Sequence, residues 1–443
     1  MFQHKIKFKA LLLLLVGMLF YLPGCEIDEV PDPNNLGVDQ VTDGATLSHI
    51  QNLVDGIEFG MRERLGTYYD AVSMVGREYY RFSSADPRFT SELLGKGSST
   101  LDNNTFYTTQ TFALRYQTVK NANILITAIE NTSASISAAQ ASAAIGFAKT
   151  IKAHQLLMVL NQQYTCGVRV DVADPDNLGA FLSLDASLDA IKALLDEGFT
   201  DLGAGSGAEF PFRLSSGFSG FNNPTTFAQF NRALAARVAV YRQDWAGALD
   251  ALNKSFADPA GDLNAGVYHP YGTEKLNELF FTLGASGEAR VAHPSFVADA
   301  EAGDTRLNKV VERSDTLFVD DLASNYDVWV YTSNTQPVPL IRNEELVLIK
   351  AEAEIQLNNL SEGTDALNEI RNAAGLGDYA GAGTKDALID ELLKQRRYSL
   401  FGEGHRWIDL RRYGRLGTLP IDRPDDDVFD HFPRPATENE SCE

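Results

Sequence analysis

The stretch Gln395-Arg396-Arg397-Tyr398-Ser399-Leu400-Phe401-Gly402-Glu403-Gly404-His405-Arg406-Trp407-Ile408-Asp409-Leu410-Arg411-Arg412-Tyr413-Gly414-Arg415-Leu416 decides the reading of this chain. It sets a run of arginines and aromatic residues against only two acids, Glu403 and Asp409. Taken alone, so basic a block suggests a nucleic-acid surface. The remainder of the 443 residues argues otherwise, because the whole chain carries a net charge of −22. A chain so acidic repels DNA phosphates and anionic lipid headgroups. The arginines are therefore expected to pair with acids inside the fold, and nucleic acid is not expected as a partner. Neutral sugars feel little of this field and stay open as ligands.

The block also resembles the C-terminal signature of the SusD/RagB family, nutrient- and glycan-binding lipoproteins of Bacteroidetes-type outer membranes. Members read Glu-Arg-Arg, then Glu-Leu, then Glu-Gly-x-Arg-Trp-x-Asp-Leu-x-Arg. Here Gln395 replaces the first Glu, and Ser399 stands where an acid is common. A second stretch resembles the family too: Arg342-Asn343-Glu344-Glu345-Leu346, Ala351-Glu352-Ala353 and residues 366–375. The resemblance implies a mainly α fold, an α superhelix of tetratricopeptide-like hairpins with long loops and a few short strands. It implies ligand contacts from the loops, repeat helices facing a SusC-like TonB-dependent β-barrel transporter, and binding without catalysis. Arg406, Trp407 and Asp409 read as structural: Trp407 packs against helix pairs and Arg406 pairs with an acid.

The N-terminus supports export independently. Lys5, Lys7 and Lys9 precede an apolar run over 10–22. That run is shorter than the roughly 20 residues that span a bilayer and suits the apolar region of a signal peptide over 1–24. Leu22-Pro23-Gly24-Cys25 resembles a lipobox, with Cys25 as the lipid-attachment residue; an ordinary secretory signal with an incidental Cys is the alternative. Acidic and Pro-containing residues 25–45 read as a flexible tether. Removing the three signal-peptide lysines leaves a net charge of −25 on the mature chain. Residues 46–443 then form one domain, with the membrane reached through the lipid anchor at the cell surface.

Apolar residues recur at helical spacing over 46–65, 112–129, 136–160, 184–199, 227–241 and 245–256. The turn Tyr241-Arg242-Gln243-Asp244-Trp245-Ala246 resembles that of a tetratricopeptide repeat, and 346–357 with 366–371 reads as a second pair. Residues 151–160 with 184–199 are a candidate third. The intervening segments 203–226 and 259–339 are rich in Gly, Ser, Pro, Asn and aromatics. They read as loop insertions, with a short strand over 327–331.

Such loops carry function when a rigid frame holds them. Sugar rings need flat aromatic faces, and their hydroxyls need Asp, Asn or Arg. Candidate ligand residues are Tyr79, Tyr80, Arg81, Asn103, Tyr268, Tyr271, Trp329 and Tyr331, with Phe82, Asp86, Arg88, Asp102, Asn104 and Phe106 close by in sequence. On a strand, Trp329 and Tyr331 would share one face. No catalytic motif appears, no cofactor is indicated, and no Cys or His spacing points to a metal. Acidic runs at 171–177 and 425–427 lack full EF-hand spacing and read as solvated loops. Cys166 and Cys442 either pair or remain free thiols. Three functions are consistent with these features: a glycan-capturing lipoprotein, a surface scaffold for a peptide or protein, and a lipid-anchored glycoside hydrolase.

Overall fold

Capping residues and apolar stripes set the helices. In the computed structural model, which describes residues 41–442, helix α1 (Leu47–Arg62) starts where the Thr46 side chain accepts the His49 amide, and it buries Ile50, Val54, Ile57 and Met61. Next follow α2 (Leu65–Val75) and α3 (Phe106–Glu130). Helix α4 (Ala138–Gln163) opens on a reciprocal capping box between Ser137 and Gln140. Ser183 caps α5 (Leu184–Ala204), and Asn223 caps α6 (Pro224–Tyr241), which has Pro in its first turn. The other helices of seven residues or more are α7 (Trp245–Asn253), α8 (Asn343–Gln356), α9 (Leu360–Ala373), α10 (Lys385–Ser399) and α11 (Arg406–Arg412). The signal peptide, Cys25 and most of the 25–45 tether lie outside the described residues. No helix among the described residues is long and apolar enough to cross a membrane.

Three of these pairs are the expected hairpins. Between α6 and α7, Gln243 adopts a left-handed φ of 56° and the Asp244 carboxylate accepts the Gly247 amide at 2.9 Å. Between α8 and α9, Asn358 takes the same role at φ 67°. The third pair, α4 with α5, depends on glycine. A Cβ on Gly146 would sit 2.8 Å from the Gly198 carbonyl oxygen, so the two backbones touch where neither residue has a side chain. The fold is mainly α, with helical hairpins as its frame.

The 259–339 segment holds more β-structure than its composition suggests. Strands β1 (Tyr79–Ser83), β2 (Gly266–His269), β3 (Glu288–Ala292), β4 (Val310–Val319), β5 (Leu322–Val328) and β6 (Val338–Arg342) form two antiparallel sheets. One has the order β1-β3-β5-β4 and the other pairs β2 with β6. The strand expected over 327–331 ends at Val328, so Trp329 and Tyr331 lie beyond it and do not share a strand face. Gly- and Asp-rich turns hid these strands: the β4–β5 turn uses Asp320 and Asp321, both with positive φ.

The signature block lies inside, where it joins α6, α8, α10 and α11. Asp409 accepts Arg396 Nε at 2.6 Å and Arg412 Nη2 at 2.8 Å. Arg412 reaches on to Glu352 of α8 at 2.8 Å, and the Tyr413 hydroxyl donates to the same carboxylate at 2.8 Å. A parallel link joins Arg237 of α6 to Glu345 of α8 at 2.6 Å. All but Tyr413 have nearly or fully buried side chains. Burial alone would raise the Asp409 carboxyl, but Arg396 and Arg412 hold it below the ordinary carboxylate range. Trp407 is fully buried, donates Nε1–H to the Phe429 carbonyl at 2.8 Å and packs edge-on to Phe432.

Arg406 departs from expectation, because among the described residues no acid lies within ion-pair distance of it and its Nε has no acceptor. Asp409, three residues on, is instead shared by Arg396 and Arg412. At the two departures from the family pattern, Gln395 donates to Glu391 at 2.7 Å and the Ser399 hydroxyl accepts Arg306 at 3.0 Å. The 425–427 run is also more than a solvated loop, since Asp426 is buried against Arg423 at 2.7 Å.

Cys166 and Cys442 are joined in a disulfide. The link holds the C-terminal segment against the end of α4. Arg434 donates to the Cys166 carbonyl at 2.5 Å, and Arg169 pairs with Glu440 at 2.8 Å.

Removing one member of a buried ion pair costs about 3–5 kcal/mol, because the partner charge is left uncompensated. Asp409→Ala should therefore lose about that much in a denaturant titration; a midpoint equal to wild type would refute the clamp. Cys442→Ser should lose roughly 2–5 kcal/mol through release of the closed chain. Non-reducing and reducing gels would show whether the link forms, and equal midpoints with and without reductant would contradict it.

Candidate functional site

Strands β1 and β3 place two arginines directly opposite each other, Arg81 against Arg290. Like charges at such a pair repel, so the surrounding acids and rings must compensate. Asp70 of α2 takes Arg290 in a fork at 2.6 and 2.7 Å, and Glu288 takes Arg81. Phe281 fills the space above both cations, its ring centroid 4.6 Å from the Arg81 guanidinium carbon and 4.4 Å from that of Arg290. Such cation–π contacts favour a fixed ring orientation.

The row continues outward. Arg81 also lies 5.2 Å from the Phe89 ring, which meets Phe106 edge-on at 5.2 Å. Arg88 covers Phe106 at 4.9 Å, grips Asp86 at 2.8 and 2.9 Å, and donates to the Thr105 hydroxyl at 2.9 Å. Its hydrogen bonds hold the Asp86 carboxyl below the ordinary range. Phe281, Phe89 and Phe106 are all half-buried.

Thr105 joins this row to a polar loop. Asp102 accepts the Asn104 amide at 2.6 Å, and the Tyr107 hydroxyl accepts the Asp102 amide while donating to Glu92 at 2.6 Å. These bonds fix the loop and leave the Asn103 side-chain amide exposed. The loop borders an open cleft of about 420 Å³ lined by Glu92, Ser99, Thr100, Asp102, Asn103 and Pro433. Its lining offers hydroxyl, amide and carboxylate groups, and the chain leads from Asn103 to Phe106, the last ring of the aromatic row.

The structure thus brings together two segments that lie apart in sequence, Arg81 to Arg88 and Asp102 to Phe106. Other candidates fall elsewhere. Tyr79, Tyr80 and Tyr331 are core residues, each 5% exposed or less, so their rings are already covered. Tyr79 bonds Asp70 at 3.0 Å and Tyr80 stacks on Phe82. Arg81 is a buried support for Phe281 and Phe89. Tyr268, Tyr271 and Trp329 are half-buried; Tyr268 donates to the Asn264 carbonyl and Trp329 packs near Phe280. Sequence reasoning missed Phe281, Phe89 and the Ser99–Thr100 hydroxyls. The Phe280-Phe281 pair inside a Gly- and Pro-rich segment was the available signal.

Beneath β1, Glu78 links the sheet to the signature block. Its carboxyl accepts the Ser73 hydroxyl at 3.0 Å and the Gly402 amide at 3.1 Å. Burial pushes its pKa up to about 7.

Residues 292–441 match the model of the SusD family. The fold of the described chain agrees with solved members of that superfamily. The fold is SusD-like. A SusD superfamily protein from Bacteroides vulgatus superposes with a TM-score of 0.67 at 17% identity, covering 89% of this chain and 97% of that one. Surface glycan-binding protein A from Bacteroides thetaiotaomicron, solved with laminarihexaose, gives 0.68 at 14% identity, covering 88% and 97%. A SusD-like protein of Formosa agariphila is 37% identical over 81 residues, a match spanning 16% of each chain. At these identities the solved structures establish the fold of the SusD-like chain, and the match to the curated relative covers only a small part of its length.

The Glu78 shift has a definite sign. A carboxyl whose folded pKa lies above its ordinary 4.5 binds its proton more tightly in the native state, so stability falls as pH rises between those values. The melting temperature of Glu78→Gln should therefore gain on wild type as pH rises from about 4.5 to about 7. A pH-independent difference between the two melting curves would rule this out.

Proposed function

We propose that this SusD-like chain is a cell-surface glycan-binding protein, anchored through a lipid on Cys25, that captures an oligosaccharide without cleaving it. It then passes the glycan to a TonB-dependent, SusC-like β-barrel in the outer membrane. The observation that carries this reading is the row Phe281, Phe89 and Phe106, whose last ring follows in the chain directly after the Asn103 loop that borders the cleft. Aromatic faces take the apolar side of a sugar ring, and the Asn103 amide offers both a donor and an acceptor to its hydroxyls. Arg88 and Asp86 supply further polar contacts at the outer end. Tyr268, Tyr271 and Trp329 are secondary candidates.

Two further points support binding. One superposing protein is a surface glycan-binding protein solved with laminarihexaose. The strong negative charge leaves neutral glycans unopposed while repelling polyanions. Hydrolysis would ask two carboxylates to act across one glycosidic bond. Here Glu92 and Asp102 are already committed to Tyr107 and Asn104, where they shape the loop.

A glycan array on the detergent-solubilised full chain, with laminarihexaose included, tests the reading. Calorimetry on the strongest binder should show at least a tenfold loss of affinity, about 1.4 kcal/mol, for Asn103→Ala and for Phe281→Ala. An array without binders, or variants that bind like wild type, would overturn the glycan reading. Release of reducing ends would favour a hydrolase instead. Gentle-detergent pull-down from native membranes should recover a β-barrel partner, and its absence would count against delivery.

A further inference from the structure

A second cleft, of about 220 Å³, opens between α10 and α11. It shares no residue with the Asn103 cleft. Its walls are largely apolar, with Leu393, Leu410 and Tyr398, and its lining also holds three cations, Lys394, Arg397 and Arg406, and two acids, Asp299 and Asp409.

The charge balance of this cleft is unusual. Each of the other signature arginines has found acceptors. Arg396 and Arg412 share Asp409, Arg397 holds Asp299 at 2.8 Å, and Arg415 pairs with Asp390. Arg411 donates to the carbonyls of Asp430 and Asn161 at 2.7 and 2.9 Å. Arg406 alone among them has no hydrogen bond and no ion pair among the described residues.

The nearby acids are already committed. Asp299 belongs to Arg397, Asp409 to Arg396 and Arg412, and Glu78 is fully buried against Ser73 and Gly402. Lys394 holds Glu301 at 3.0 Å. Burial and the neighbouring Arg397 lower the Arg406 guanidinium to about 9, so it remains charged at neutral pH. Across the cleft on α10, Gln395 and Ser399 stand where the resembled pattern carries acids, so that helix has two fewer negative charges.

We propose that this cleft binds a small organic carboxylate, with Arg406 as its anchor. A guanidinium is a planar fork that matches a carboxylate with two parallel hydrogen bonds. A partly buried cation without a counter-charge is costly, and an incoming anion relieves that cost. One unpaired cation suits a monoanion, whereas a phosphate or sulfate dianion would need a second. Leu393, Leu410 and Tyr398 give the ligand a non-polar wall. The volume is below the roughly 300 Å³ at which drug-sized ligands begin, which limits the ligand to a short acid or a single sugar acid. The site stands apart from the proposed glycan cleft and does not depend on it.

Calorimetric titration of the full chain in carboxylate-free buffer tests the proposal with two matched pairs: butyrate against butyramide, and glucuronate against glucose. At least one acid should bind tenfold or more tightly than its neutral counterpart, and the responding pair names the source of the carboxylate. In Arg406→Gln that preference should disappear, while binding of glycan by the Asn103 cleft stays unchanged. Equal binding of acid and neutral partner in both pairs would overturn the proposal, as would an acid preference that survives in Arg406→Gln. The wild-type comparison decides the matter even if the variant does not fold.

Discussion

The buried chain of charges Arg396–Asp409–Arg412–Glu352 is the constraint on which the rest of the fold depends. Each group has left water, and each is tolerable only because its neighbour has done the same. The four residues come from α10, α11 and α8, so the electrostatic requirement fixes how those helices meet. Arg237 and Glu345 carry the same logic across to α6. Hydrophobic packing alone would tolerate small rotations of these helices. A two-point guanidinium fork held out of water does not.

This frame supports the less regular half of the molecule. Gly402 reaches from the signature block to Glu78 at the base of β1, and Trp407 lies against the turn at Gly76. From that base, β1 and β3 present Arg81 and Arg290, which clamp Phe281. The candidate glycan face is thus positioned by a series of specific contacts that begins in the buried ion network. Rigid support of this kind lowers the ordering cost of capturing a flexible oligosaccharide.

Much of the helical frame was legible in the sequence, because periodic apolar stripes are local signals; the caps Thr46, Ser137 and Asn223 that fix the helix starts were seen only in the structure. The signature block was legible as structural, but its partners were not. Pairing Asp409 with Arg396 and Arg412 while leaving Arg406 free depends on helix–helix geometry that spacing alone does not specify. The β4–β5 hairpin was hidden by its polar outer face and aspartate turn. Among the candidate site residues, Asn103 was visible as an amide in a polar loop. Tyr79, Tyr80 and Tyr331 misled because an aromatic side chain reads the same whether it covers a core or faces a ligand. Phe281, in the loop between β2 and β3, was missed because its place is set by two arginines on β1 and β3.

The central claim is that the ligand sits on the Asn103 and Phe281 face and that the charge-clamped helices serve only as its support. Hydrogen-exchange mass spectrometry of the full chain, with and without an oligosaccharide selected by the array, tests this most directly. The account predicts new protection over residues 86–106 and 280–283, with exchange across α6, α8 and α11 unchanged. Protection confined to those helices, with the loop segments unaffected, would contradict it.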